Sequence, residues 1–470
     1  MLARFLPGRN NARMPPQDSG TTDRYTIDTA PATGFHYRLA LFTGGGKFID
    51  GYTLGVLTVA LAVIPPDFGM TPFYAGLVGS AALFGLFIGS AFIGPLADRI
   101  GRKRLYTADL ILFLAAALAQ FFVQSPSQLF VMRLILGIAI GIDYAVAPTY
   151  LSEMLPKRLR GPLLGSLAAI WRIGFLASVI VGYFMRDMGP GAWKWILVTS
   201  AVPTALVMLL RLGAPESPRW LVRQGRDAEA DAIVKKYINP EAGIHDLIST
   251  VGHEQGPKRS TWEATRILFS KQWRSRTLFA GFFWIAQATP QTAIFTFLPA
   301  LFVALGLSGG LGPTLIQNIF FAVGGVVGMF VINLISRRKM LVTTFWLMAV
   351  SILALVVLPD PSALVVITCL CIYAFIEAIA DNLQFVYPSE LFPTSLRAAG
   401  VGMAAAMSRI GAAFGTFVLP LVLASYGVQV VMIGTLCLLV LGALVSQKYA
   451  PETANRGLQE EPAPEATLKA

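Results

Sequence analysis

The chain has 470 residues, of which 55% are hydrophobic and 13% are charged, and its mean hydropathy is +0.63. This composition excludes a soluble globular protein of this length and indicates a membrane protein with many spanning helices. The formal net charge is +11, and the basic residues fall in loops beside apolar runs. Contact with anionic lipid explains that placement, so binding to nucleic acid is not expected.

Residues 1–35 form a polar segment without an apolar stretch long enough for a cleavable signal peptide, and we interpret them as a tail. A spanning helix needs about 20 apolar residues. The sequence contains twelve such runs, which begin at Arg38, Pro72, Leu105, Ser127, Pro162, Trp193, Thr277, Gly312, Met340, Ser362, Ser395 and Val428.

The predicted organisation is two helical bundles joined by a polar segment. The first six-helix bundle covers residues 36–214 and the second covers 277–450, with short surface helices at 215–276 and a C-terminal tail at 451–470. Lys and Arg cluster in the loops after the second, fourth, eighth and tenth spans. Because cytoplasmic loops are enriched in these residues, we place the basic loops, the central segment and both termini in the cytoplasm.

Enzyme classes that work inside the membrane are not favoured. All three histidines lie outside the apolar runs, whereas an intramembrane metal hydrolase or a histidine-dependent acyltransferase needs imidazole at depth. No phosphate-binding loop is present, so the use of an ion gradient is favoured over the use of ATP. Neither a metal nor a bound cofactor is expected.

Short motifs recur at nearly one spacing along the chain. The motif Glu-x-x-Pro-x-x-x-Arg at Glu153 returns 237 residues later at Glu390, and Arg-Ile-Gly at Arg172 returns at the same offset at Arg409. Pro-Glu-Ser after the sixth span returns as Pro-Glu-Thr after the twelfth. Two parallel six-helix repeats predict a substrate site between the halves and transport by rocking of one half against the other.

The loop from Gly94 to Arg104, GPLADRIGRKR, resembles the signature loop of the major facilitator superfamily. The segment PESPRWL from Pro215 to Leu221 and the two Glu-x-x-Pro-x-x-x-Arg motifs resemble its sugar-porter-like branch. The resemblance covers nearly all of Phe35 to Gly457. It implies an all-α fold with twelve transmembrane helices in two pseudo-symmetric six-helix bundles, and a carrier that works by alternating access.

The resemblance also implies charged residues that hold the cytoplasmic side together, which we call the gating residues. They are Asp98, Arg99, Arg102, Glu153, Arg160, Glu216, Arg219, Glu390 and Arg397. The second copy of the signature loop, Asn333 to Lys339, lacks the aspartate, so the latch of that half departs from the family pattern. The alternative for each residue is an ordinary charge that sets topology.

Eight ionisable residues fall at mid or near-mid depth of the predicted spans, and a charge at the centre of a bilayer costs roughly 2.5 to 3.5 kcal/mol for Arg, Lys or Asp. These residues must face a cavity, pair with one another or change protonation, and a purely structural network is the alternative for any one of them. The eight are Lys47, Asp50, Arg133, Asp143, Arg172, Glu377, Asp381 and Arg409.

Asp50 is the first predicted proton site, with Lys47 one turn earlier on the same helical face. Burial favours the neutral carboxyl group and a nearby cation favours the carboxylate, so movement of the cation can switch protonation. Asp143 resembles the fourth-span aspartate of phosphate:proton and related symporters and is the second predicted site. Arg133 on the same span is its predicted movable counter-ion.

The remaining charges predict a substrate site. Arg172 and Arg409 are expected to meet near mid-depth, where two guanidinium groups suit the capture of a carboxylate or phosphate. Glu377 and Asp381 lie one turn apart and leave three roles open: a second proton, a cationic group of the substrate, or partners for Arg409. The other predicted lining residues are Gln287, Gln291, Tyr144, Trp171 and Trp284.

Together these features predict a proton-coupled symporter that takes up a small organic anion or a related polar metabolite across a bacterial-type inner membrane. The proton is the expected coupling ion, and the expected partners are the substrate and membrane lipid, with the protein as a monomer. A sugar, polyol or organic-cation transporter of the same fold is the alternative. The alternative from another class is a membrane receptor that binds without transport.

Overall fold

A computed structural model describes residues 24–93, 96–253, 261–332, 334–358 and 360–453. Within these ranges the protein is helical, apart from an isolated parallel β-bridge between Tyr25 and Ala242. Of the helices in these ranges, ten are long and apolar enough to cross a membrane. The remaining helices complete a span, belong to the segment between the halves or lie in a short loop between spans.

The first half of the chain supplies six spans, of which the sixth consists of two short helices in succession. The helices are α1 (Gly34–Val63), α2 (Pro72–Ile88), α3 (Ala97–Ile100), α4 (Arg102–Ala119), α5 (Pro126–Met154), α6 (Lys157–Met185), α7 (Ala192–Val198) and α8 (Ala201–Arg211). The short α3 belongs to the loop between the second and third spans.

The central segment and the second half follow the same order. They contain α9 (Pro218–Arg223), α10 (Asp227–Ile233), α11 (His245–His253), α12 (Thr261–Leu268), α13 (Arg274–Thr296), α14 (Leu298–Ala304), α15 (Leu311–Val331), α16 (Arg337–Val357), α17 (Ala363–Asp381), α18 (Leu383–Leu391) and α19 (Thr394–Tyr449). Gly427 has a φ of 80° and breaks α19 into two spans. With α13 and α14 as the seventh span, the described helices make the twelve spans that the sequence predicts. The predicted starts lie within five residues of the observed starts.

Three helices begin with the same local device, a hydroxyl residue followed by proline. The side chains of Thr71, Ser125 and Ser217 each accept a hydrogen bond from a backbone N–H of the first turn. The proline that follows each of them has no N–H to leave unsatisfied and has the φ that a helix requires. These positions therefore fix where α2, α5 and α9 start.

Glycines allow the closest helix contacts within the first half. A side chain at Gly51 would collide with the carbonyl oxygen of Trp171, and one at Gly174 would collide with the carbonyl oxygen of Phe48. Because small residues let two backbones approach closely in a membrane, α1 and α6 pack backbone to backbone. This packing holds the helix that carries Lys47 next to the helix that carries Arg172.

The two halves contact each other mainly through two pairs of helices. Helix α2 packs against α19, where a side chain at Gly76 would collide with the carbonyl oxygen of Phe417. Helix α6 packs against α15, where Gly325 leaves room for the side chain of Arg172. These pairs, the second with the eleventh span and the fifth with the eighth, are exchanged by the internal repeat.

Residues 24–33 are part of the folded structure, although the sequence places them in a tail. The N–H of Tyr25 donates to the carbonyl of Glu241 at 3.1 Å, and the carbonyl of Asp28 accepts from the N–H of Lys157 at 3.1 Å. The carboxylate of Asp28 also pairs with Arg160. This segment, which we call the N-terminal strap, therefore ties the central segment to the start of α6. Residues 1–23 and 454–470 lie outside the described residues.

Candidate functional site

Lys47 lies at the centre of a buried ion network in the first half. Its Nζ atom is 2.9 Å from Asp50 Oδ2 and 2.7 Å from Asp143 Oδ2. The exposed fractions of the three residues are 6%, 1% and 4%, in the order Lys47, Asp50 and Asp143. The predicted pairing of Lys47 with Asp50 is therefore present, and one ammonium group is shared between the carboxyl groups of α1 and α5.

The network continues to two residues that sequence reasoning missed, Asp109 and Arg211. Arg211 Nη2 is 3.5 Å from Asp143 Oδ1, and Arg211 Nη1 is 3.5 Å from Asp109 Oδ1. Arg211 also donates to the carbonyl of Tyr106 at 2.7 Å and stacks 3.4 Å over the ring of that residue. Asp109 could have been found from the sequence, because it is the one acidic residue inside the third span. Arg211 could not, because an arginine at the end of a span resembles an ordinary loop charge.

Arg133 has a different environment from the one predicted. It is 0% exposed, and its three guanidinium nitrogens have no hydrogen-bond partner among the described residues. The prediction that Arg133 is the counter-ion of Asp143 was wrong, because Asp143 pairs with Lys47 and Arg211. Ten residues along one α-helix separate two positions by about 15 Å, which is too far for direct pairing.

Arg172 crosses from the first half to the second. Its Nη2 atom pairs with the carboxylate of Asp381 and lies 3.5 Å from the carbonyl oxygen of Ala378. Arg172 is 2% exposed, and a Cβ atom at Gly325 would lie 2.7 Å from its Cδ atom. Gly325 is therefore the position at which α15 lets this side chain pass to α17.

Arg409 makes the reciprocal contact from the second half to the first. Its Cζ atom lies 5.6 Å from the centroid of the Tyr144 ring, and the side chain is half-buried. Arg409 follows Arg172 by 237 residues, and Asp381 follows Tyr144 by the same 237 residues. The expectation that the two arginines meet near mid-depth stays a prediction. The structure shows that each contacts the opposite half, at positions that the repeat relates.

Glu377 is completely buried and is held by amide groups. Gln291 Nε2 donates to Glu377 Oε2 at 2.9 Å, and Gln287 Nε2 lies 3.5 Å from Glu377 Oε1. Trp284 Nε1 donates to Gln384 Oε1 at 2.6 Å on the same pair of spans. The structure therefore brings the predicted polar residues of the second half together. The amide groups of Gln287 and Gln291 are bonded to Glu377, and that of Gln384 is bonded to Trp284.

The two predicted aromatic residues of the first half differ in surroundings. The ring of Tyr144 lies 3.6 Å from Lys47 Nζ and faces Arg409 on another side. The ring of Trp171 packs 5.6 Å from that of Phe175, and its Nε1 has no described hydrogen-bond partner. Tyr144 thus contacts the buried ion network, whereas Trp171 is mainly a packing residue.

The gating residues of the first half form a compact latch where the spans end. Arg102 donates from Nε and Nη2 to the two carboxylate oxygens of Glu153, each at 3.1 Å, and Ser217 donates to the same carboxylate. Glu216 accepts from the N–H of Lys103 at 3.0 Å. The bidentate pair of Arg102 and Glu153 is almost completely buried, with side chains 4% and 8% exposed.

The second half contains the same latch in spite of its altered signature loop. Arg337 Nε lies 3.4 Å from Glu390 Oε1, Thr453 donates to that carboxylate, and Glu452 accepts from the N–H of Arg337 at 3.1 Å. Sequence reasoning missed Arg337, because the comparison of the loops rested on the missing aspartate. The side chain of Asp98 lies outside the described part of the structure.

A tyrosine supports each latch. The hydroxyl of Tyr150 donates to the carbonyl of Pro215 at 2.5 Å, and the hydroxyl of Tyr387 donates to the carbonyl of Pro451 at 2.5 Å. Of the other gating residues, Arg160 donates to the carbonyl of Ser152 and pairs with Asp28. Arg99 is exposed and Arg219 and Arg397 are half-buried.

Comparison with known proteins agrees with this architecture. A family model described as "Sugar (and other) transporter" matches residues 39–463. The chain belongs to this family. It is an integral membrane transporter of the major facilitator superfamily, in the sugar-porter-like branch, and not an enzyme.

Individual relatives cover nearly the whole transporter. It is 38% identical over 432 residues to the inner membrane metabolite transport protein YgcS of Escherichia coli (strain K12), which covers 92% of this chain and 95% of YgcS. It is 30% identical over 436 residues to the glucose transporter GlcP of Staphylococcus epidermidis, covering 90% and 96%. The inward-open structure of the xylose transporter XylE from E. coli matches with a TM-score of 0.76 at 20% identity, covering 90% and 98%, and supports the fold.

The transporter also has an apolar cavity, at the end of the spans away from the latches. There Thr58 donates to the carbonyl of Phe295 at 3.0 Å, and the rings of Phe73 and Phe417 lie 5.7 Å apart, so the halves touch. The adjacent cavity of about 410 Å³ is lined by residues such as Met70, none of them ionisable. This cavity therefore offers no charged side chain to a ligand.

Proposed function

We propose that the transporter moves a small organic anion or a related polar metabolite together with protons, in the same direction. The observation that carries the proposal is the charge count of the buried network. Three carboxyl groups, of Asp50, Asp109 and Asp143, face the two cations Lys47 and Arg211. With every group ionised the network has one excess negative charge, and the binding of one proton neutralises it.

The shared position of Lys47 gives this proton a route to the rest of the protein. Lys47 Nζ lies within 3 Å of one oxygen of Asp50 and one of Asp143. When a proton neutralises the carboxyl group of Asp50 or Asp143, the ammonium group of Lys47 pairs with the carboxylate that remains. Because Asp50 lies on α1, which touches α13 through Thr58, protonation acts on a helix at the contact between the halves.

The organic anion is the preferred substrate because Arg409 lies in the interior without a carboxylate partner among the described residues. The pairing of Arg172 with Asp381 makes that arginine unavailable and favours the alternative substrates. The second candidate is a sugar, which the name of the relative GlcP favours. For a sugar, Gln287 and Gln291 would have to release Glu377 in order to bind hydroxyl groups. The proton is the only coupling ion or cofactor that we propose. We place the monomer in a bacterial-type inner membrane with the latches and both termini in the cytoplasm.

The test is uptake into proteoliposomes with and without a pH gradient, using a panel of carboxylates, sugars, phosphate and organic cations. In Asp50→Asn we expect the loss of gradient-driven accumulation, with exchange of substrate retained. Asp67→Asn is the matched control, because Asp67 is exposed at the end away from the latches. Normal accumulation by Asp50→Asn would contradict proton coupling through this network.

A further inference from the structure

The two arginines of the interior occupy equivalent positions in the repeat, but only one of them has a carboxylate. Arg172 pairs with Asp381, whereas Arg409 faces the ring of Tyr144. The offset of 237 residues relates Arg172 to Arg409 and Tyr144 to Asp381. We propose that Arg409 and Tyr144 bind the carboxylate of a monocarboxylate substrate, in the place that corresponds to the Asp381 carboxylate beside Arg172. This inference rests on the proposed uptake of an organic anion and names its class.

The geometry of the pair with Asp381 shows what this place accepts. The Asp381 carboxylate reaches the guanidinium group of Arg172 from the opposite half. The equivalent backbone position beside Arg409 carries a tyrosine, whose ring contacts the guanidinium group at 5.6 Å. The repeat therefore preserves the arginine but replaces the protein's own carboxylate with a tyrosine, which leaves Arg409 without a carboxylate partner among the described residues.

The other charges near Arg409 have partners, whereas Arg133, which has none among the described residues, is completely buried. Lys47, which also faces the Tyr144 ring, lies between Asp50 and Asp143. Glu377 is held by two glutamine amides. In the described part of the chain no carboxylate pairs with Arg409, and the side chain is half-buried and thus open to a ligand.

The chemistry of the two residues fits a carboxylate. An arginine binds a carboxylate through two parallel N–H···O bonds, which a neutral hydroxyl group cannot match. The phenol of Tyr144 has an O–H group that can donate to a ligand, while its ring is in contact with two cations. Asp381 already occupies Arg172, and Arg133 is completely buried, so neither of these arginines is available to a second carboxylate on the ligand. The site therefore favours monocarboxylates over dicarboxylates.

The test places a carboxylate of the protein into the proposed site. In Tyr144→Asp the new acid should occupy Arg409, as Asp381 occupies Arg172, and exclude the ligand. Tyr144→Asn is the matched control, because it has the same size without the charge. Binding is measured on the purified full-length protein, in detergent at one pH, by thermal stabilisation with gluconate, lactate, benzoate, succinate, glucose and xylose.

We expect at least one of the three monocarboxylates to stabilise the wild-type protein. Its affinity should fall about 10- to 100-fold in Arg409→Gln, as expected for the loss of hydrogen bonds to a charged group. It should be about tenfold weaker in Tyr144→Asp than in Tyr144→Asn. Asp381→Asn is the converse test: it exposes Arg172 and should add binding of succinate that the wild type lacks. The unliganded melting temperature identifies any variant that fails to fold.

Equal affinity in Tyr144→Asp and Tyr144→Asn would overturn the proposal, as would stabilisation of the wild type by the sugars alone. These outcomes are separable from failure of proton coupling, because binding is measured without a gradient. If Asp50→Asn abolishes accumulation while Arg409→Gln binds normally, coupling stands and the carboxylate site falls. If Arg409→Gln loses binding while Asp50→Asn accumulates substrate normally, the carboxylate site stands and coupling falls.

Discussion

Arg102 binds Glu153 in the first half as Arg337 binds Glu390 in the second, and a hydroxyl residue after the last span donates to each glutamate. The interiors of the same two halves differ. The first half contains a network of five charges, whereas the second contains a glutamic acid held by two amides.

This contrast separates two tasks. Both halves must open and close around the substrate, and the latches at the ends of their spans have been kept in both. If the network of the first half binds the coupling proton, as proposed, that task falls to one half: the positions 237 residues after Asp50 and Asp143 are Gln287 and Ala380, which are not ionisable. The proposed coupling residues Asp50 and Asp143 therefore lie where the sequences of the two repeats differ.

The largest expected effect comes from removing the shared cation of the first half. Lys47→Met leaves Asp50 and Asp143 buried without their common partner, which costs about 3 to 5 kcal/mol of unfolding free energy. The loss should shrink as the pH falls, because protonation neutralises the two carboxyl groups. Melting temperatures at pH 5 and pH 8 measure this, with exposed Lys271→Met as the control. An equal loss at both pH values would speak against a network that holds a proton.

The latches should be similar in kind and unequal in strength. Glu153→Gln removes a bidentate pair with side chains 4% and 8% exposed, and a loss of about 1.5 to 3 kcal/mol in unfolding free energy is expected. Glu390→Gln removes a single contact at 3.4 Å between side chains 15% and 22% exposed, so its loss should be smaller. Unfolding in denaturant compares the two, and the reverse order would break the comparison.

The tyrosines of the two latches should be equivalent. Tyr150→Phe and Tyr387→Phe each remove one hydroxyl group that donates to a proline carbonyl at 2.5 Å. A loss of about 0.5 to 1.5 kcal/mol in unfolding free energy is expected from each. Unfolding of both variants under the same conditions is the measurement. A large effect from one alone would show that the repeat does not preserve the energetics of the latch.

The smallest effect is expected at Glu377, where a glutamine of the same shape keeps one amide contact through its carbonyl oxygen and can donate to the other glutamine once that amide flips. We expect Glu377→Gln to change the unfolding free energy by less than about 0.5 kcal/mol if the carboxyl group is neutral in the native protein. A loss of about 1.5 to 3 kcal/mol would instead indicate a carboxylate held by charge-assisted hydrogen bonds. Glu377→Ala, which removes both contacts, calibrates the measurement.

The sequence was sufficient for the features that depend on one helix or on the repeat. Apolar runs predicted the spans, and the spacing of Lys47 and Asp50 by one turn predicted their contact. The offset of 237 related Arg172 to Arg409, although it could not say that each arginine reaches across to the other half. Which residue each arginine reaches depends on where α17 and α5 lie. Gly325 indicates the path of the Arg172 side chain only once α15 is known to pack on α6.

Contacts between spans that are distant along the chain could not be predicted from the sequence. Asp109, Asp143 and Arg211 come from three different helices, so no spacing along the chain connects them. Arg337 was overlooked because the family pattern drew attention to a missing aspartate instead of to the arginine that binds Glu390. Arg133 was assigned to Asp143 because both lie in one span, where the rigid helix in fact keeps them apart.

The N-terminal strap has a practical consequence for work on the protein. Its backbone joins Glu241 of the central segment, and Asp28 anchors it to Lys157 and Arg160 at the start of α6. A shortened protein for crystallisation, or a fluorescent label fused at this end, should therefore leave Arg24 and everything after it intact. Removal of the strap would remove these links between the central segment and the helix that carries Arg172, a change that an assay of expression alone would miss.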